Sequence, residues 1–168
     1  MEVIELKGGY PQRTLQNIKE SDATLIISTS LNTPGEKLTL RLLQENKKQY
    51  LIVKVIKDKL SLPSISLQKF IDKHDIKILN IAGNSISRYK FINQEQLDTL
   101  IYDFLKNTSN ISKLTRIQSG AQSGSDESGI KAGMKLGIKT RINMVKWMFR
   151  DENGNDISDK DLFMKRFR

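Results

Sequence analysis

The chain has no cysteine and a single histidine, His74, among its 168 residues. Without thiols there is no disulfide, no thiolate nucleophile and no Cys-built zinc or iron–sulfur site. One imidazole makes no metal cluster, and it restricts any His-assisted nucleophile to that residue. No metal and no cofactor is expected, and His74, which ends a helical run, reads as a cation suited to a helix dipole. Three prolines and ten glycines are too few for a low-complexity chain. No apolar run approaches the ~18 residues that a membrane span needs. The start, Met1-Glu2-Val3-Ile4-Glu5, lacks the basic and apolar regions of a signal peptide, so cytoplasmic residence is the expectation.

What is present describes a globular chain, 38% hydrophobic and 28% charged. Its length fits one domain over residues 1–168, large enough to bury a core without staples. The net charge of +9 favours anionic partners, whether nucleotides, nucleic acid or an acidic surface. A lysine-rich composition alone gives the same charge, and it speaks to association rather than to fold.

Four apolar, partly β-branched runs read as strands: residues 23–29, 50–56, 77–82 and 114–118. Their near-continuous apolar character points to strands buried on both faces, as in a parallel sheet. Between and around them lie helical patterns over residues 11–20, 35–46, 64–74, 93–106 and 124–136, with a further short strand near 138–143. Such alternation predicts α/β architecture with right-handed crossovers. The tail turns at residues 151–154 and ends in a segment whose Leu162, Phe163, Met164 and Phe167 are set to dock one face.

Three loops follow the carboxyl ends of predicted strands, at residues 30–36, 83–87 and 119–126. In open parallel sheets these ends form the ligand crevice. The last, Ser119-Gly120-Ala121-Gln122-Ser123-Gly124-Ser125-Asp126, ends a strand and opens a helix. A small-residue loop there offers backbone N–H groups to an anion, and the helix dipole favours the same charge. Gly120, Ser123 and Gly124 are candidate phosphate contacts, with Gln122 placed for a base or ribose. The bland alternative is a tight turn in which Ser125 or Asp126 caps the helix. Asn80, Gly83 and Ser85 flank the third-strand loop, where an amide and a hydroxyl suit a sugar. Arg13 and Asn17, four apart, share a helix face, either beside the ligand or in solvent. Trp147 and Phe149 are candidates for base stacking or for core.

Tyr10-Pro11-Gln12-Arg13-Thr14-Leu15-Gln16-Asn17 followed by Ser21-Asp22-Ala23-Thr24-Leu25-Ile26 resembles the Y-x-x-R-T-x-x-N and S-D-x-T-L-I signature of the putative molybdenum carrier family, within the SLOG superfamily. Leu79-Asn80-Ile81-Ala82-Gly83 is similar to its L-N-V-A-G segment, and residues 119–126 to its S-G-G-Q-T-G-x-D loop. In that family the glycine loop comes near the amino terminus and the Y-x-x-R-T segment follows it. Here the order is exchanged, which implies a circular permutation of a Rossmann-like three-layer α/β domain with a mainly parallel central sheet. The resemblance implies binding of a nucleotide or related phosphorylated compound by Ser119, Gly120, Gln122, Ser123, Gly124, Asp126, Arg13, Asn17, Asn80, Gly83 and Ser85. Superfamily relatives include sensor domains for ADP-ribose-type signals in bacterial antiviral systems. That implies sensing or sequestration of such a signal, including on behalf of a phage, and self-association into a homo-oligomer.

Two departures bear on mechanism. The branch's G-G-T-x-x-T element stands here as Pro34-Gly35-Glu36-Lys37-Leu38-Thr39, with Gly35, Lys37 and Thr39 as candidate contacts. Pro34 removes a backbone donor, and Glu36 brings a carboxylate towards the expected anion, offset by Lys37. Related phosphoribohydrolases carry a catalytic Glu where Thr39 stands. The reading is therefore a binder with no catalytic residue. One alternative is a phosphoribohydrolase-like enzyme using Glu36 or Asp126. The other is a nucleic-acid-binding module, encouraged by the charge and by DNA-binding relatives.

Overall fold

The computed structural model describes every residue from Met1 to Arg168. Its centre is a seven-stranded sheet. In spatial order the strands are β1 (Glu2–Glu5), β7 (Thr140–Met144), β6 (Arg116–Ser119), β5 (Ile78–Gly83), β2 (Ala23–Ser28), β3 (Gln49–Ile56) and β4 (Lys59–Leu60). All neighbours are parallel except β3 and β4, which form an antiparallel hairpin. A second, two-stranded sheet joins β8 (Met148–Arg150) to β9 (Asp156–Ser158).

Strand β2 is buried at all six positions, which explains its unbroken apolar run. Leu25 and Ile27 face a core built with α3 (Ser64–His74), α4 (Gln94–Lys106) and α5 (Ser125–Lys135). Ile26 faces the opposite layer, formed by α1 (Tyr10–Lys19) and α2 (Pro34–Glu45). Helices thus cover both faces of a mainly parallel sheet, the three-layer arrangement expected from the sequence. Local chemistry sets the helix ends. Asn93 and Gln96 hold each other's backbone N–H at 2.9 Å in a capping box before α4. His74 closes α3 with its ring edge-on to Phe70, as a helix-end residue.

Beside the apolar contact of Ile18 with Ile26, part of the face under α1 is polar. Asn17 accepts Gln118 Nε2 through its carbonyl at 2.9 Å and Asn143 Nδ2 through its side chain at 2.9 Å. Paired buried amides of this kind fix how α1 sits on the sheet.

The tail helix α6 (Lys160–Lys165) packs Phe163 and Phe167 against β7, but Leu162 remains 48% exposed and so does not dock. Arg166 follows it into the interior, where its guanidinium lies 4.0 Å from the Phe149 ring centroid and pairs with Glu127 at 2.7 Å. Its second nitrogen donates to the carbonyl of Ala121 at 2.9 Å, bracing a residue held at φ 53°. Phe149 belongs to this aromatic cluster, and Trp147 packs edge-on to Phe163.

Candidate functional site

From β2 the chain runs outward to β3, then returns to the other side of β2 to build β5. The loops after β2 and β5 therefore part company, and such a reversal opens a crevice above the carboxyl ends of the strands. A cavity of about 370 Å³ lies there. Thr33 to Glu36 from the head of α2 line one part, and Ala82 to Ser85 with Arg88 line the loop after β5. Gln122 and Asp126 come from the glycine loop and α5, Tyr10 to Thr14 from α1, and Arg150 from the β8 hairpin. Only three of the seventeen lining residues are hydrophobic.

Asn84 holds the crevice in shape. Its Oδ1 accepts the N–H groups of Thr29 and Ser30 at 2.8 and 3.0 Å, while its Nδ2 donates to the Ser30 carbonyl at 3.1 Å. Its own carbonyl accepts the N–H of Ser125, which ties both diverging loops to α5. Close packing completes the joint. A Cβ on Gly83 would stand 1.8 Å from the Ile27 carbonyl oxygen. One on Gly124, held at φ 90°, would meet the Asn84 carbonyl oxygen at 2.2 Å.

The donors of the glycine loop are largely engaged by the protein itself. Gly124 N–H donates to Gln94 Oε1 at 2.7 Å, and Ser123 N–H to Gln122 Oε1 at 3.1 Å. The anion in the loop is Asp126. Its carboxylate accepts from Gly83 N–H at 3.2 Å and from the backbone of Gln122. Burial nevertheless pushes its pKa up to about 6, because desolvation outweighs these donors and the nearby Arg13 charge. The hydroxyl of the neighbouring Ser119 spends its one proton on the Ile81 carbonyl at 2.7 Å.

Arg13 is 8% exposed, with its guanidinium 4.6 Å from the Tyr10 ring centroid and stacked where a Gly120 side chain would otherwise stand. Its Nη1 and the Tyr10 hydroxyl are both buried without a hydrogen-bond partner. Arginine stays ionised in such a place, so an unsatisfied cation faces the cavity.

Glu36 is the second acid of the site and is 7% exposed. It turns back on its own backbone N–H and on the Asn84 side chain. Desolvation, with repulsion from Asp126, lifts its pKa to about 7, while Arg88 acts in the other direction.

Of the residues singled out in the sequence, the cavity gathers Arg13, Gly35, Gly83, Ser85, Gln122 and Asp126. Ser119, Gly120, Ser123 and Gly124 form the shell beneath them rather than its wall. Asn17 joins the polar layer under α1, and Asn80 bonds Thr24 within the sheet at 3.1 Å. Thr39 spends its hydroxyl on the Gly35 carbonyl at 3.0 Å, and Lys37 is exposed outside the cavity. Tyr10, Asn84, Arg88 and Arg150 were not singled out as contacts. Arg150 gave no sequence signal, since it arrives by a hairpin folding back so that its backbone N–H meets Gln122 Oε1.

The sequence model of the circularly permutated YpsA SLOG family matches residues 2–105. The chain belongs to that family. The match spans α1, β2, the head of α2 and the loop after β5, so three of the segments that shape the cavity fall inside it. The glycine loop at residues 119–126 lies beyond the matched segment. A solved structure, titled a putative molybdenum carrier protein from Syntrophus aciditrophicus SB, is 26% identical with a TM-score of 0.42. The similarity covers 60% of this chain and 61% of that one. Comparison with curated proteins finds no match. No helix is long and apolar enough to cross a membrane.

Proposed function

We propose that this SLOG domain binds a nucleotide-derived, phosphorylated small molecule in the switch-point cavity and leaves it intact. One observation carries the reading: a buried Arg13 faces a polar cavity of about 370 Å³ with Nη1 unpaired. A buried donor without a partner costs on the order of 1–3 kcal/mol, more when charged, and a ligand phosphate supplies the missing acceptor. Arg88 and Arg150 add two further cations to the same wall. Within this reading the ligand is an ADP-ribose-type signal that the protein senses or sequesters, as a cytoplasmic and self-associating protein, in antiviral defence or its evasion by a phage.

The test is native mass spectrometry and thermal shift against nucleotides, sugar phosphates and ADP-ribose derivatives. Wild-type protein should bind one compound of mononucleotide to dinucleotide size, and Arg13→Met should lose about tenfold or more in affinity. If no nucleotide or sugar phosphate binds, the reading is wrong.

A hydrolytic reading has one observation in its favour: Glu36 and Asp126, held near pKa 7 and 6, share the cavity in the range suited to proton transfer. It predicts consumption of the bound compound on incubation, with activity lost in Glu36→Gln. Full recovery of intact ligand sides with binding.

A further inference from the structure

The amino termini of α2 and α5 point at the cavity, and helix ends of this kind ordinarily receive phosphate. Here most of those donors are already engaged by the protein. In α2, Pro34 has no N–H, that of Lys37 goes to the Thr33 carbonyl at 3.1 Å, and that of Glu36 meets its own carboxylate. Gly35 alone keeps an uncommitted donor in that turn. In α5, the N–H groups of Ser125, Glu127 and Ser128 go to the carbonyls of Asn84, Gln122 and Gly124. The Asp126 carboxylate takes two backbone donors of the adjoining loops besides. Each helix end is thus already answered by a carboxylate of the protein.

The charges along the wall are consequently divided. Glu36 and Asp126 sit within reach of one another's field, Arg88 acts on Glu36, and Arg150 acts on Arg13. Three guanidinium groups against two carboxylates leave the cavity net positive, so it draws an anion rather than an amine. An anion still has to present something to the two acids. What a carboxylate accepts is a neutral donor: in a nucleotide-derived ligand that is a sugar hydroxyl or a base amino group, and the hydroxyls are the ones that lie next to a phosphate held by the arginines.

We propose that Glu36 is the specificity-determining residue of the site: it accepts the hydroxyls of the ligand's sugar, while the phosphate is displaced from the α2 terminus onto the arginine side chains. This rests on the binding reading above and adds which end of the ligand lies where. Ligands with a free vicinal diol are selected, and bare polyphosphates or deoxygenated analogues are rejected.

The experiment compares AMP with 2′,3′-dideoxy-AMP by isothermal titration at pH 8, for wild type, Glu36→Gln and Arg88→Gln. Wild type should favour AMP by about tenfold or more, the usual scale for losing hydrogen bonds to a charged acceptor. Glu36→Gln, which keeps the shape of the side chain, should erase that preference. Arg88→Gln should weaken both compounds alike and leave their ratio unchanged. If wild type binds both compounds equally, or if Glu36→Gln tightens both, a phosphate lies beside Glu36 and the proposal fails while the binding reading stands. If neither compound binds, nor ADP-ribose, both fall together.

Discussion

Arg13 and Asp126 both line the cavity without forming a close ion pair, and each acts on the other's charge. Removing the cation in Arg13→Met takes away the main electrostatic support of the Asp126 carboxylate. Its pKa, already about 6 through burial, should climb by on the order of one unit or more, read by carboxyl-carbon NMR titration. An unchanged titration would mean that solvent, not Arg13, supports the charge. Stability should follow pH for the same reason. In the unfolded chain Asp126 and Glu36 titrate near the usual ~4. In the folded chain Asp126 is raised to about 6 opposite Arg13, and Glu36 to about 7 beside Asp126, Arg88 and Asn84. The folded state therefore holds more protons between these limits, and stability falls as pH rises through that window. Glu36→Gln should flatten the fall between pH 5 and 8 and raise stability at pH 8 by up to ~2 kcal/mol, measured by urea denaturation. Arg13 was visible in the sequence because a motif carried it. Asn84 was not, because its value lies in bonding residues 29 and 30, which only the parallel pairing of β2 with β5 brings within reach.

At the scale of elements, the crevice depends on how closely β5 and α5 approach the end of β2. Gly83→Ala forces a methyl group against the Ile27 carbonyl, and Gly124→Ala adds a left-handed backbone penalty to a clash with Asn84. Each should cost about 3 kcal/mol or more, or leave the protein insoluble. Gly35→Ala is the control. Nothing lies within 4 Å of its added Cβ, so stability should stay within ~0.5 kcal/mol of wild type. Equal losses at all three positions would show that chain flexibility, not packing, governs these glycines. Strong periodicity made β2, β5 and the long helices readable from sequence. Strand β1 escaped notice because four residues, Glu-Val-Ile-Glu, carry no pattern until β7 is beside them. The β8–β9 hairpin is shorter still, and with it went Arg150. The glycine loop was readable as a candidate anion site, but that Asp126 itself accepts Gly83 N–H was not, because side-chain direction at a helix start is not written in spacing.

For the whole molecule, the charge of +9 comes with only 7% aromatic residues, so stacking platforms for a single strand are few. Before β3, Lys48 donates to the Ser21 carbonyl at 2.7 Å and is held against the protein. Oligonucleotide binding should accordingly be weak and vanish between 50 and 200 mM salt, whereas the cavity ligand should lose far less. Tight, length-dependent binding to single strands at 200 mM salt would favour the nucleic-acid reading instead.

The sheet order also dictates a timetable for synthesis. Strand β1 has a single neighbour, β7, which is made much later, and Glu2 meets Arg141 only when the ladder between them closes. A ribosome working at roughly 5–20 residues per second delivers that partner about 7–30 s later. For that interval the leading segment waits unpaired while β2, β3 and β5 assemble behind it. Since α1, with Arg13, follows that strand directly, the wall of the cavity that α1 supplies settles only once β7 has arrived, so an early segment of the fold is among the last to be fixed.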